Sequence, residues 1–119
     1  MIAFAMLLIG SGLVVNIADA VPRYDMKPTC RAAVDLVAGA LGRTVESCMA
    51  GEDKARKDLE RDWPKIPSAE RSQCIGTVSV GGSPSYVELQ ICLEMMDDSR
   101  KHRDEEQAAS KSKKSTSKP

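Results

Sequence analysis

The chain has 119 residues, with 17 basic and 17 acidic side chains and a formal net charge of zero. That balance argues against nucleic acid as the main partner, because proteins that bind nucleic acid are usually rich in Lys and Arg. Aromatic residues make up only 3% of the chain, whereas four residues are cysteines, so we expect cross-links to help stabilise so small a protein.

Residues 1–20 are predicted to be a cleaved signal peptide. Residues 2–15 are almost wholly apolar or small, and Ala18-Asp19-Ala20 follows where a signal peptidase would cut. Val21 would then begin the mature chain, which loses Asp19 with the leader and has a net charge of +1, from 17 basic and 16 acidic residues. No basic residue precedes Arg23, which leaves open a start codon upstream of Met1.

An uncleaved membrane anchor is the alternative interpretation of this segment. A membrane-spanning helix needs about 18 or more apolar residues, and here Gly10, Ser11, Gly12 and Asn16 interrupt a shorter run. We therefore expect an exported protein, periplasmic or secreted, with no stable membrane span after cleavage.

The remaining chain is divided into a linker at residues 21–27, a helical domain at 28–103 and a charged tail at 104–119. From Gln107 to Pro119 there is no large apolar side chain. Such a segment has nothing to bury against a core, so the tail is predicted to be disordered.

Two helices are predicted in the first half of the domain. Thr29 is the expected N-cap of the first, in which Cys30, Ala33, Val34, Val37 and Leu41 share one side and Gly42 ends the helix. Thr44 is the expected N-cap of the second, which runs to Trp63, where Pro64 stops it.

Two more helices are predicted after the prolines. Ser68 is the expected N-cap of a third helix that ends at Gly81-Gly82, although Val78-Ser79-Val80 also fits a short extended segment. Ser83-Pro84 is typical of a helix start and predicts a fourth helix to about Lys101. This helix has two apolar sides, one with Tyr86, Leu89, Leu93 and Met96 and the other with Val87, Ile91 and Met95, which is typical of the central helix of a bundle. The fold class is therefore all-α, a small bundle of three to four helices stapled by disulfides.

The four cysteines behind a signal peptide predict two disulfides. If helices three and four form a hairpin, Cys74 lies about 9 Å before the turn and Cys92 about 12 Å after it, which favours this pair. Cys30 with Cys48 follows by elimination, although the same arithmetic places them about 18 Å and about 6 Å from Gly42. Pairing of Cys48 with Cys92 and of Cys30 with Cys74 stays open. Their wide spacing and the single histidine argue against a zinc site.

Glu52 is the most unusual residue of the second helix, because it occupies a position on the inward side where an apolar residue is expected. Arg71 or Tyr86 is the expected partner, and a paired structural charge is favoured over a catalytic acid with a shifted pKa. Gly81-Gly82-Ser83 could hold an anion through free backbone N–H groups, but a plain turn explains it equally. A soft-metal site of Met49, Met95, Met96 and His102 is a weaker hypothesis, because methionines at helical spacing usually fill cores.

Several of these motifs resemble those of an uncharacterised family of small exported four-cysteine helical proteins of alphaproteobacteria. The shared features are Glu46-Ser47-Cys48, Pro84-Ser85-Tyr86-Val87-Glu88-Leu89 and Cys92-Leu93-Glu94-Met95. The resemblance covers roughly residues 30–100 and implies compartment and fold, without a site. The cysteines that flank a charged helix are also similar to those of helical periplasmic lysozyme inhibitors.

No Ser, Cys or Lys has an identifiable activating neighbour, so we do not expect an enzyme. We also expect no bound cofactor. The favoured function is a periplasmic interaction or structural module whose partner is another envelope protein. The alternatives are an inhibitor of a cell-wall hydrolase and a soft-metal carrier.

Overall fold

The computed structural model describes residues 19–37 and 42–116 of the chain. This part contains four α-helices, α1 (Met26–Val37), α2 (Val45–Asp62), α3 (Ser68–Ser79) and α4 (Tyr86–Thr116), and no strand. The all-α, disulfide-linked fold class is confirmed. The predicted leader lies outside the described residues, except for Asp19 and Ala20.

Helix α1 begins earlier than the sequence predicted. The side chain of Asp25 accepts a hydrogen bond from the Lys27 N–H at 3.2 Å, and the helix starts at Met26. The prediction that Thr29 caps this helix is therefore wrong, because Asp25 already satisfies an N–H of the first turn and Thr29 lies inside it. Leu41, predicted near the end of this helix, lies outside the described residues.

Helix α2 has the predicted boundaries. The Thr44 side chain accepts a hydrogen bond from the Ser47 N–H, and the Ser47 hydroxyl accepts one from the Thr44 N–H. These reciprocal bonds form a capping box, which satisfies two backbone donors at the start of the helix. At the other end the chain tightens into a 3-10 turn, Trp63–Lys65, which contains Pro64.

Helices α3 and α4 are joined by a turn at Gly81 and Gly82, whose φ angles are +101° and +79°. Positive φ angles of this kind favour glycine, which has no Cβ to clash with the backbone. Ser79 is still helical, so the extended alternative for residues 78–80 is wrong. The predicted start of α4 at Ser83-Pro84 is also wrong by two residues, because Ser85 caps the helix and Tyr86 begins it.

The C-terminal tail is the largest departure from the sequence prediction. Residues 104–116 are not disordered, because α4 continues through them to Thr116, although its side chains from 101 to 114 are exposed. Helix α4 is already nucleated against the core, and extension of an existing helix costs little where helix-forming residues are frequent; Ala, Glu and Lys make up seven of residues 104–116. Side-chain pairs four residues apart, such as Lys101 with Asp97 and His102 with Glu106, further stabilise the helix. None of the described helices is both long enough and apolar enough to cross a membrane.

The helices pack in the spatial order α1, α2, α4, α3. Ten buried side chains form one core, to which every helix contributes: Met26, Cys30, Ala55, Leu59, Trp63, Cys74, Val78, Tyr86, Leu89 and Leu93. The segment predicted as a linker, residues 21–27, belongs to this domain. Val21 and Tyr24 pack against the core and Met26 is buried, because the hydroxyl of Tyr86 binds the backbone of this segment.

Both favoured disulfides are confirmed. Cys30 is bonded to Cys48, with the two Cα atoms 5.6 Å apart, and Cys74 to Cys92, with the Cα atoms 5.7 Å apart. One bond joins α1 to α2 and the other joins α3 to α4. Because disulfides persist mainly in oxidising compartments, this pair indicates a non-cytosolic environment.

Candidate functional site

Glu52 lies near the middle of α2, and its side chain is only 7% exposed. Its carboxylate accepts hydrogen bonds from the Ser85 hydroxyl and the Tyr86 N–H, both at 2.7 Å, and from the Val87 N–H at 3.3 Å. The expectation that Glu52 is near Tyr86 is therefore correct, although the contact is with the Tyr86 backbone.

The carboxylate of Glu52 acts as a cap for another helix. The first N–H groups of a helix have no partner within that helix. The carboxylate of Glu52 accepts hydrogen bonds from the first two N–H groups of α4, those of Tyr86 and Val87. The Ser85 hydroxyl accepts one from the third N–H group, that of Glu88, at 3.3 Å. The partial positive charge at the start of the helix also favours a carboxylate there. The donors to Glu52 are not those of the anion hypothesis, because the Gly82 N–H donates to the Ser79 carbonyl at 3.4 Å instead.

Tyr86 connects the N-terminal segment to this cap. Its hydroxyl donates a hydrogen bond to the Pro22 carbonyl at 2.9 Å and accepts one from the Tyr24 N–H at 2.8 Å. The rings of Tyr24 and Tyr86 are 4.9 Å apart between centroids. Burial, with a smaller contribution from Tyr86, raises the pKa of the Tyr24 phenol above its usual value.

Arg71, the other expected partner of Glu52, belongs to α3 and lies beside Trp63, just beyond the C-terminal end of α2. Its guanidinium carbon is 5.6 Å from the centre of the Trp63 ring, a cation–π distance. Trp63 is eleven residues after Glu52, about 16 Å along the helix. The sequence pattern placed Arg71 and Glu52 in one cluster, but the structure separates them.

The exposed side of α2 is covered by ion pairs of neighbouring turns. Asp53 contacts Arg56 at 2.7 Å and Lys57 at 3.0 Å, and Lys54 contacts Asp58 at 3.0 Å. Hydrogen bonds, from Arg56 above all, lower the pKa of Asp53, and the hydrogen bond from Lys54 is the main cause of the lowered pKa of Asp58. These charges pair with each other along one helix.

The four residues of the soft-metal hypothesis lie apart. Met49 lines a cavity of about 420 Å³ beside Tyr24 and Arg56, whereas Met95 and Met96 line a groove between α3 and α4. His102 is farther along α4, where it contacts Glu106 at 3.3 Å. Within residues 19–37 and 42–116, no group of three or more His, Cys, Asp or Glu side chains is arranged to hold a metal ion.

A second cavity, of about 220 Å³, lies between the end of α2, the start of α3 and the middle of α4. Leu59, Ile66 and Leu93 line it together with several acidic residues. Four of these five acids are in ion pairs, namely Asp58, Asp62, Glu70 and Asp97. The cavity is small and its acidic rim is partly neutralised.

An exposed apolar surface is the feature that sequence reasoning missed. Val87, Ile91 and Met95 are 37%, 50% and 65% exposed, and we call these three residues the outer face of α4. Because the spacing is one helical turn, they form a continuous stripe on the side of α4 opposite the buried Leu89 and Leu93.

A groove of about 530 Å³ lies beside this stripe, between α3 and α4. We call it the α3/α4 groove. Apolar side chains dominate its lining, and they are Val78, Ile91, Cys92, Met95 and Met96. The period of the sequence showed that α4 has a second apolar side, but only the structure shows that no described helix covers it.

Comparisons with known proteins found no matching family model, no matching curated protein and no matching solved structure. The functional argument therefore depends on the geometry described above.

Proposed function

We propose that this protein is an exported interaction module, periplasmic or secreted, which presents the outer face of α4 and the α3/α4 groove to another envelope protein. The observation on which the proposal depends is the exposure of Ile91 and Met95 beside a groove of about 530 Å³. Contiguous apolar surface of this kind, rimmed by polar side chains, is typical of binding surfaces rather than of inert solvent-exposed helices.

The rigidity of the surface supports this proposal. The Cys74–Cys92 disulfide joins the two helices that form the groove, and Cys92 itself lines it. At the start of α4, Glu52 and Ser85 satisfy the first three N–H groups. A surface held in place before binding loses less conformational freedom when a partner binds.

Export is supported by two independent observations. The apolar leader ends in Ala18-Asp19-Ala20, and both disulfides require an oxidising compartment to form and persist. Cleavage after Ala20 would leave Val21 and Pro22 to pack on the body, where the Tyr86 hydroxyl holds the Pro22 carbonyl.

Site-specific photo-crosslinking in the cell envelope tests the proposed surface. A crosslinking amino acid at position 91 or 95 should give one discrete adduct, whereas the same amino acid at Lys57, exposed on α2, should give none. Excess unlabelled protein should compete for the adduct, and a double variant Ile91→Ser/Met95→Ser should not. Equal crosslinking from position 57, or none from 91 and 95, would contradict the proposal.

The same experiment separates the module from the hydrolase inhibitor, because mass spectrometry of the adduct identifies the partner. A cell-wall hydrolase that this protein also inhibits would favour the inhibitor. The Ile91→Ser/Met95→Ser variant should then lose inhibition as well as crosslinking.

A further inference from the structure

The charges around the outer face of α4 indicate the chemistry of its partner. Between Tyr86 and Ser99 this helix contains four charged residues, and all of them are acidic: Glu88, Glu94, Asp97 and Asp98. Asp97 is paired with Arg100 and Lys101. Among the described residues, the ion pairs within 4 Å include none formed by the other three.

Two of these acids flank the apolar stripe, one on each side, and the third continues it. At 100° per residue, Glu94 lies on the flank away from the groove, and Glu88 lies on the other flank and lines the groove. Asp98 lies in line with the stripe, about one turn beyond Met95. The stripe is thus an apolar ridge between acidic edges. Basic side chains of a partner would find carboxylates on either side of it.

The same charges disfavour a second copy of the chain as the partner. In an antiparallel pair of α4 helices centred on Ile91, equivalent flanks meet, so Glu88 lies beside Glu88 of the other copy and Glu94 beside its Glu94. A parallel pair sets the flank of Glu88 against the flank of Glu94. Like charges placed opposite each other at an interface favour separation and suppress the wrong partner. An anionic membrane surface would be repelled for the same reason.

We propose that the α3/α4 groove and the outer face of α4 bind a cationic amphipathic segment of another protein. Its apolar side chains, spaced by helical turns, pack against Ile91 and Met95 and enter the groove. Its Lys or Arg side chains pair with Glu88, Glu94 and Asp98. This inference rests on the proposed function, because it names the chemistry of the partner at the same surface. In helix-in-groove recognition, a partner helix is bound through apolar side chains that recur once per helical turn.

The size of the surface sets the expected affinity. Val87 and Met95 are eight residues apart, about 12 Å along α4, so the surface accommodates about two to three turns of a partner helix. An interface this short lies below the standard size for stable complexes. We expect dissociation constants in the micromolar range and a marked weakening in salt, because the flanking charges are exposed.

Fluorescence anisotropy with designed peptides tests the inference on the exported, disulfide-bonded protein. The probe is a helical peptide of Leu, Lys and Ala, of roughly 14 residues, with Leu on one side and Lys on both flanks. The matched probe has Glu in place of every Lys. The protein should bind the Lys peptide at least about tenfold more tightly than the Glu peptide.

Three variants identify the binding surface. Glu88→Lys/Glu94→Lys should reverse the preference between the two peptides, whereas Ile91→Ser/Met95→Ser should weaken binding of the Lys peptide about tenfold or more. Glu60→Lys, a single charge reversal on the exposed side of α2, is the control and should leave binding unchanged. Far-ultraviolet circular dichroism of each variant checks that the bundle is intact.

Several outcomes would overturn the inference. They are equal binding of the two peptides, an effect of Glu60→Lys as large as that of the α4 variants, and sedimentation of the protein as a dimer that Ile91→Ser/Met95→Ser dissociates. If positions 91 and 95 still crosslink to an envelope protein in any of these cases, the proposed function stands and only the cationic chemistry of the partner is wrong.

Discussion

Removal of the Glu52 carboxylate should destabilise the protein more than removal of any other acidic side chain of α2. Glu52→Ala deletes two short hydrogen bonds, each 2.7 Å long, to the Ser85 hydroxyl and the Tyr86 N–H. A hydrogen bond to a charged group contributes about 1.5 to 3 kcal/mol to stability, and the donors left behind are buried. We expect Glu52→Ala to lower the free energy of unfolding by about 4 kcal/mol, a large part of the 5 to 15 kcal/mol typical of a domain.

Glu52→Gln should cost less, about 2 kcal/mol. The glutamine oxygen can still accept from the N–H groups of Tyr86 and Val87, but the negative charge at the start of α4 is lost and the Ser85 hydroxyl loses its acceptor. The graded series from Glu to Gln to Ala therefore distinguishes a helix cap from a side chain that only fills space.

Equilibrium unfolding in urea, followed by circular dichroism with both disulfides intact, measures these differences. Glu60→Ala, two turns later on the exposed side of the same helix, is the control and should leave the unfolding midpoint unchanged. The reasoning is refuted if Glu52→Ala costs less than about 1 kcal/mol, or if Glu60→Ala costs as much.

Four further outcomes are expected. Tyr86→Phe should cost about 1 to 3 kcal/mol in urea unfolding, because the Tyr24 N–H and the Pro22 carbonyl lose their partner, whereas Tyr24→Phe should cost little, since the Tyr24 hydroxyl has no hydrogen-bond partner among the described residues. The raised pKa of Tyr24 stabilises the fold fully below about pH 10 and is lost as the pH rises through the folded-state value, so alkaline melts of Tyr24→Phe should fall off less steeply than those of the wild type. Reduction of both disulfides should markedly lower the melting temperature, and four reactive thiols in the native protein would contradict the presence of the disulfides. Deletion of residues 104–119 should reduce the helical signal but leave the melting temperature unchanged, because the described side chains of this segment are exposed; a lower melting temperature would show that the segment packs on the body.

Much of the local structure could be predicted from the sequence. The Thr44 cap, Pro64 and the Gly81-Gly82 pair are local signals, and the structure shows a helix start, a helix end and a turn at these positions. The pairing of Cys74 with Cys92 could also be predicted, because the two residues lie at similar distances before and after the turn between α3 and α4. In a hairpin of two helices, residues at similar distances from the turn lie side by side. Each of these inferences needs only the residues on either side of it.

Predictions from local sequence failed where a residue distant in the sequence, or an adjoining helix, determined the structure of a segment. Ser83-Pro84 looked like the start of α4, but the carboxylate of Glu52 stabilises a start at Tyr86 instead. Residues 104–116 lack large apolar side chains, yet they extend a helix that the core has already nucleated. Residues 21–27 have the composition of a linker, but hydrogen bonds between their backbone and the Tyr86 hydroxyl hold them against the core.

The sequence by itself determined the helical class, the boundaries of α2 and the presence of disulfides, because caps, prolines, glycines and cysteine number act locally or through the unfolded chain. Only the tertiary structure decided which apolar side of α4 is buried. Both sides have the same period, and Tyr86, Leu89 and Leu93 face α2 and α3 while Ile91 and Met95 remain exposed. The tertiary structure also decided the role of Glu52, because its donors lie more than thirty residues away in the chain and meet it only when α2 packs against α4.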